Sequence, residues 1–330
     1  MPQKKGAVLH SLRSSPTVRR LVGALGTLFG VAITVFVMLR ALPGDQITAA
    51  YGIEAAGLTE EQRETLRAYY GLDQPLIVQF FTWLGNVVTG NLGYSSRTNQ
   101  SVLEMTLLSL PVTLQLAVLS ILVALLIGIP LGMLSASRPN AARDWLGQGI
   151  GLAGLGVPNF LLATFLLGLA AQVWGFNPNG LGYASPWENL WLNLQQMMMP
   201  SLVLGFAVAA PVMRTTRTAV LEVRSLDFIR TAKAKGVPPR RLRWSHILRN
   251  ALVPVVTMTG MQFGFLLGGA VVMEQIFSLP GLGRQVLLGM NQQEYAVVQS
   301  TVLVIALLFV IVNLLTDLLY RKIDPRVRAD

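Results

Sequence analysis

The sequence predicts an all-α polytopic membrane protein with six transmembrane helices, both termini cytoplasmic, and a small external module between helices 1 and 2. Three observations carry that class. Hydrophobic residues make up 52% of the 330 and charged residues only 13%, whereas an ordinary soluble domain is about a quarter charged. Six segments are apolar over the roughly 20 residues that a helix needs to cross a bilayer core. Most of the 26 Lys and Arg fall in segments that an even number of crossings puts on one side, as the positive-inside rule requires.

The first span, Leu21–Leu39, is uncharged and follows Lys4, Lys5, Arg13, Arg19 and Arg20. It is longer than the apolar region of a secretory signal, and Arg40-Ala-Leu-Pro-Gly-Asp45 offers no small-residue cleavage site, so it reads as a retained span. The second, Met105–Ser137, carries Pro130 between Gly128 and Gly132. The uncharged run Trp145–Trp187 is too long for one helix. The turn chemistry of Gly175-Phe-Asn-Pro-Asn-Gly180 ends it, which leaves one span over residues 146–174. Spans over 199–221, 251–277 and 296–319 complete the set. Arg138 and Arg143, the basic connection between the fourth and fifth spans, and Arg321, Lys322, Arg326 and Arg328 share the side of the N-terminus. Arg40, Arg63, Arg67, Arg97 and Arg284 lie opposite. The domains are then a cytoplasmic tail (1–20), a first helix (21–42), an external module (43–104), a core with helices 2–6 (105–320) that includes a long inner loop (222–250), and a second cytoplasmic tail (321–330).

The external segment holds Asp45, Glu54, Glu60, Glu61, Glu64, Asp73 and Glu104. Thr59-Glu-Glu-Gln62 is a capping box, with Thr59 at the N-cap and Gln62 at the third helical position. It predicts a helix to about Tyr70, stopped at Gly71. Leu76–Val88 is too short to span and predicts an interfacial or buried helix. Two readings stand for the module: a cap over the span ends, or a docking surface for an external partner.

Several chemistries are excluded. The chain has no Cys, hence no disulfide, thiol catalysis or thiolate metal site. Its two His, His10 and His246, suggest no metal cluster. It has no phosphate-binding G-x-x-x-x-G-K-[ST] motif, and no nucleophile–base–acid set at a recognisable spacing. Gly149-Ile-Gly151-Leu-Ala-Gly154 matches a dinucleotide fingerprint literally. It lies inside a membrane span without the strand such a site needs, so close helix packing accounts for it. Gly260, Gly264 and Gly268 recur every four residues in the fifth span, as a packing ridge or as a hinge or pore wall. Glu274, towards the outer end of that span, either lines a substrate path or makes a hydrogen-bonded packing contact. Asp317 reads as a local partner of Arg321, and Arg214 and Arg217 as snorkelling residues at the inner end of the fourth span.

The inner loop is the most informative stretch. Asp227-Phe-Ile-Arg-Thr-Ala-Lys-Ala-Lys-Gly236 predicts a short helix through Lys235 with a glycine stop. A Pro238-Pro239 break follows, then a second short helix from about Arg240. Charge alone would suit anionic lipid or nucleic acid equally. The ordered punctuation favours a protein dock.

At these residues the chain resembles the permease subunits of ABC importers, in the branch that carries dipeptides, oligopeptides and nickel. The loop is similar to that family's EAA coupling motif, with Ala232 and Gly236 matching and Arg230 and Thr231 replacing the Glu and the first Ala. Arg-Thr-Ala-Lys-Ala-Lys-Gly236 and His246-Ile-Leu-Arg-Asn-Ala-Leu-Val-Pro254 look like the peptide branch's own version. Further matches are Leu42-Pro-Gly-Asp45, Tyr70-Gly-Leu-Asp-Gln-Pro75, Gly90-Asn-Leu-Gly93 (with Asn91 where the branch often has Asp), the run Leu266–Gly283, Asp317-Leu-Leu-Tyr320 and Asp324-Pro-Arg326. Together they resemble the B-type of the two permease subunits.

The resemblance implies a permease that is not itself an enzyme. It binds no cofactor, and ATP and Mg are used by two cytoplasmic ATPase subunits. It also implies a homologous second permease as heterodimer partner, an external substrate-binding protein and membrane lipid, with no nucleic acid. The ATPase-coupling residues would be Arg230, Thr231, Ala232, Lys233, Ala234, Lys235, Gly236, Val237, His246 and Asn250. Glu274, Gly264, Gly268 and Gln262 are candidates for the translocation path, and Asp45, Asp73 and Asn91 for external partner contact. The expected cargo is a di- or oligopeptide, with nickel, glutathione or another small solute as the alternative. A stand-alone secondary transporter is the reading from a different class.

Overall fold

The computed structural model describes residues 16–41, 57–69, 71–175 and 182–323. These residues form eleven helices, and the only β pairing among them is one isolated bridge between Tyr94 and Ser101. In chain order the helices are α1 (Pro16–Ala41), α2 (Glu60–Tyr69), α3 (Leu76–Val88), α4 (Val102–Ser137), α5 (Ala142–Gly156), α6 (Asn159–Trp174), α7 (Leu190–Ser225), α8 (Asp227–Ala234), α9 (Pro239–Ile276), α10 (Leu282–Asn291) and α11 (Tyr295–Ile323). Five of them, α1, α4, α7, α9 and α11, are long and apolar enough to cross a membrane, while α3 and α6 are shorter apolar helices.

The third expected span is not one helix. Residues 146–174 divide into α5 and α6, because Val157 is extended (φ −92°, ψ 120°) ahead of Pro158. A proline ring disfavours helical geometry in the residue before it and supplies no N–H to the preceding turn. The second short helix of the inner loop is likewise not separate. From Pro239 the chain runs through a π-helical turn, Leu242–Leu248, directly into the rest of α9.

The chain divides into two compact units. The first comprises Met1–Ser109 and Gln285–Leu314. Here Thr59 and Gln62 form the reciprocal capping box: Thr59 N donates to Gln62 Oε1 (2.9 Å) and Gln62 N to Thr59 Oγ1 (3.3 Å). The helix that they start ends at Gly71, whose φ of +64° a residue with a side chain rarely adopts. Helix α3 rests on α1 through Ala32, Phe36 and Phe80, with Phe36 and Phe80 edge-to-face at 5.2 Å. The buried Glu294, just before α11, accepts from Ser95 Oγ (2.7 Å) and from Arg97 N (3.0 Å), and so fixes the turn that leads into α4.

The second unit comprises Leu110–Arg284 and Leu315–Asp330. Its core gathers apolar side chains from α4, α6, α7 and α9, among them Leu116, Ala163, Met197, Leu204, Val255, Leu266 and Met273. Small residues bring the backbones together. A Cβ on Gly128 would lie 2.7 Å from Val212 Cγ1, and one on Gly132 would lie 2.7 Å from Met213 O, so α4 and α7 touch closely on both sides of Pro130. Gly151 and Gly154 pack α5 against Met213 and Phe206 of α7, which is the packing role expected of the literal G-x-G-x-x-G. The glycines of α9 do not form one seam. Gly260 lies against Thr316, whereas Gly268 has no neighbour where a side chain would stand.

Candidate functional site

Helix α8 is an eight-residue helix between two long ones. Its sequence explains its seat. Ile229 is fully buried in an apolar cluster of Ala136, Ala219, Val220, Val223, Leu242, Ile247 and Ala251, with Ala232 and Val237 packed at the edge. Arg230, Thr231, Lys233, Ala234 and Lys235 remain exposed. One apolar stripe therefore anchors the helix and leaves a basic face free. Thr231 Oγ1 donates to Asp227 O (3.1 Å), and Arg230 approaches Asp227 at 3.5 Å. That ion pair is exposed at both ends and contributes little.

The stop is built as expected. Gly236 has φ +77°; its N–H donates to Lys233 O and that of Val237 to Ala232 O. A residue with a side chain is strained there, and Gly satisfies the last carbonyls of the helix without that cost. Pro238 then restarts the chain in extended geometry before Pro239 opens α9. The π-helical turn that follows contains His246, which is half-buried. Asn250 is exposed, and its Nδ2 donates to His246 O (2.6 Å). Nine of the ten residues expected in the loop thus lie on α8, its stop or the π turn, and Asn250 lies on α9 two residues beyond that turn. Seven-residue π stretches are rare and recur at functional sites.

The platform beneath α8 is held by a pair that the sequence reading missed. Asp144, at the start of α5, takes a bidentate grip from Arg217 of α7 (Nε to Oδ1 2.8 Å, Nη2 to Oδ2 2.7 Å). It also accepts from Asn140 N (2.9 Å) and Gln148 Nε2 (2.9 Å). The Arg217 guanidinium, then these two donors, hold the Asp144 carboxyl well below the usual carboxylate range. Arg217 is therefore not a snorkelling residue, as expected, but one half of an ion pair whose acid is 1% exposed. Arg224, further along α7, donates to the carbonyl of Ala136 at the end of α4. One signal in the sequence points to Asp144: it is the sole acid between Glu104 and Glu188.

At the far end of α9, Glu274 is fully buried. Thr113 Oγ1 donates to its Oε1 (2.6 Å) and Arg284 N to its Oε2 (2.9 Å), while Leu282 N donates to Thr113 Oγ1 (2.8 Å). Gly281 leaves room for the carboxylate, which a Cβ there would strike. The geometry matches the packing contact of the two readings given above. Gln262, Gly264 and Gly268 lie elsewhere along α9, and Met261 and Phe265 beside them are well exposed. Asp73 and Asn91 are both exposed, and Asn91 Oδ1 accepts from Gly93 N (3.1 Å). Asp45 and the side chain of Arg321, the expected partner of Asp317, lie outside the described residues.

Comparison with known proteins gives the family and the fold. Residues 128–329 match the family described as binding-protein-dependent transport system inner membrane component, and residues 15–117 match its N-terminal membrane component. The chain is 38% identical over 311 residues to the glutathione transport system permease protein GsiC of Escherichia coli (strain K12), covering 94% of this chain and 98% of that protein. It is 39% identical over 312 residues to GsiC of Pectobacterium atrosepticum, with the same coverage. Among solved structures, the inward-facing MetNI methionine ABC transporter superposes with a TM-score of 0.52 at 18% identity, over 67% of this chain and 96% of that one; it shares the fold. Members of the family work in the inner membrane with separate ATPase and binding-protein partners. With two family matches that together cover nearly its whole length, this chain belongs to the binding-protein-dependent transport system inner membrane components and is a permease subunit of an ABC importer.

Proposed function

We propose that this chain is one of two homologous permease subunits that pass a peptide-type solute by alternating access, and that α8 is where two cytoplasmic ATPases drive it. The observation that carries the reading is the construction of α8. It is short, set between two long helices, anchored by the buried Ile229 with Ala232 at the edge of the same cluster, and presents Arg230, Lys233 and Lys235 outward before a glycine stop. A helix held by one buried face and displaying another suits a partner's groove. Movement of that partner would reach α7 and α9 through the apolar cluster beneath α8.

In this reading the pair α5–α6 makes the third of six crossings, interrupted at Pro158, with both termini on the cytoplasmic side. Gln262, Gly264 and Gly268 mark the stretch of α9 that lines the path or meets the second permease, since Gly268 leaves space for either. The exposed Asp73 and Asn91 face the external binding protein. The cargo is a peptide-like molecule. The relatives named for glutathione, itself a small peptide, support that class, and nickel or another small solute handled by the same machinery is the competing reading. The ligand carried by the cognate binding protein decides between them.

The test of coupling is the double variant K233E/K235E, with G236P beside it, in the full complex reconstituted in vesicles. We expect solute uptake to fall by at least about tenfold, the effect of losing a few charge-assisted contacts, while ATP hydrolysis persists and membrane insertion is unchanged. Uptake at the wild-type rate in both variants overturns the docking role of α8.

A further inference from the structure

A cavity of about 370 Å³ lies in the first unit, beside the junction of α1 and α3. Its wall contains one charged side chain, Arg40, together with Gln79, Trp83, Asn91, Tyr295 and Gln299, and no Asp or Glu. Arg40 is only partly used. Nε and Nη2 donate to Gln79 Oε1 (3.1 and 2.8 Å), and the guanidinium stacks 3.7 Å over the Phe36 ring. Its buried Nη1 has no hydrogen-bond partner, and neither does Nε2 of Gln299, a side chain only 5% exposed. Two buried donors left without acceptors around a cation are costly. An oxyanion would satisfy both.

Next to this cavity, and sharing Leu92 with it, is an apolar groove of about 470 Å³. It is lined by Leu25, Phe29, Leu84, Leu103, Leu303 and Leu307, among others. The two volumes lie within the range of small-molecule sites, and their order along the helices is the same twice over. On α1, Arg40 is in the cavity and Leu25, Phe29 and Ala32 are in the groove, about 12–22 Å away along the axis. On α11, Tyr295 and Gln299 are in the cavity and Leu303, Val304 and Leu307 in the groove. A charged, hydrogen-bonding end thus continues into a largely apolar trough, in which the one polar side chain, Ser300, donates to Leu92 O (3.0 Å); this is the layout of an amphiphile.

We propose that this cavity and groove seat one anionic glycerophospholipid, with its phosphodiester accepting from Arg40 Nη1 and Gln299 Nε2 and one acyl chain lying along α1 and α11. The headgroup is one without a cation of its own, because the cavity offers no carboxylate to receive an ammonium. Arginine suits the pairing, as its remaining N–H groups fit phosphate oxygens. The bound lipid would tie α3, and so the external module, to the ends of α1 and α11.

The test uses the full-length chain, purified with its partner subunits in detergent and offered phosphatidylglycerol, phosphatidylcholine or inorganic phosphate in turn, with retained ligand read by native mass spectrometry. Wild type is expected to retain phosphatidylglycerol about tenfold over phosphatidylcholine, and Arg40→Gln to lose that preference, as one charge-assisted contact would imply. Leu303→Trp, which fills the groove, should lower retention of both lipids. Should Arg40→Gln fail to fold, Gln299→Leu gives the same reading, with a reduced preference expected. Equal retention of the two lipids by wild type overturns the proposal, and so does an unchanged preference in whichever of Arg40→Gln and Gln299→Leu folds. Phosphate that displaces phosphatidylglycerol at equal concentration would assign the cavity to a free anion and equally overturn the lipid seat.

Discussion

The two ends of α9 treat charge in opposite ways. At the π-turn end, α8 displays Arg230, Lys233 and Lys235 and buries a single isoleucine. At the other end a carboxylate, Glu274, is buried completely and gives its oxygens to Thr113 and to the backbone of Arg284. Exposed charges on a lightly anchored helix can be exchanged for those of a partner at small cost to the fold. A buried acid whose hydrogen bonds run to Thr113 of α4 and to the backbone of Arg284 holds its own turn and that neighbouring helix in place. One end is therefore displayed and the other enclosed; in the proposed coupling, a partner would grip the displayed end while the enclosed end stays rigid. Asp144 and Arg217 are the intermediate case: the acid is buried, the arginine is 23% exposed, and the pair stiffens the platform on which α8 sits.

The largest expected effect lies at the enclosed end of α9. Glu274→Ala removes the acceptor of Arg284 N and leaves a cavity, and should lower stability by about 3 kcal/mol. Thermal unfolding in detergent reads this as a clear drop in Tm. A fall no larger than that of a surface substitution would mean that Glu274 is not a structural tie. Ile229→Ala should come next, at roughly 2–3 kcal/mol for a buried isoleucine, localised to α8. Hydrogen exchange should show α8 amides opening faster while the amides of α4 and α7 keep their protection. Uniform loosening would argue that α8 is part of the core and not a seated helix.

The smallest of the three is Asp144→Asn, at about 2 kcal/mol near pH 7, and it carries a pH signature. The Asp144 carboxyl is held low in the folded chain, so its contribution is fully present above the unfolded carboxylate value of about 4. It is lost as pH falls below that value towards the folded one. The stability gap between wild type and Asp144→Asn should therefore be constant from pH 7 to 5 and shrink under stronger acid. A gap independent of pH would show that the variant acts through packing alone.

Local features were legible because they depend on residues a few positions apart. The capping box at Thr59, the extent of Leu76–Val88 as a helix, and the stop at Gly236 each need only the sequence within one or two turns. The membrane class followed from composition, because a long apolar helix satisfies its own backbone polar groups whatever surrounds it. The break at Pro158 was legible in principle, since a proline within an apolar run marks a helix boundary. The glycine-rich composition of 146–174 fits one span or two helices, and hydropathy does not distinguish them.

The partners of charged and polar groups distant in sequence emerge only from packing. Arg217 finds Asp144 from 73 residues away and Thr113 finds Glu274 from 161, and no periodicity links such positions. Likewise, a glycine every four residues along α9 predicts a face, but the neighbour on that face, Thr316 at Gly260 and none at Gly268, is set by the course of other helices. By itself, then, the sequence determined that this protein is helical, membrane-embedded and equipped with a punctuated basic loop, because backbone satisfaction and hydrophobic length act locally. Packing alone decided which charges are buried ties and which are displayed, because burial is a property of the whole chain's arrangement in space.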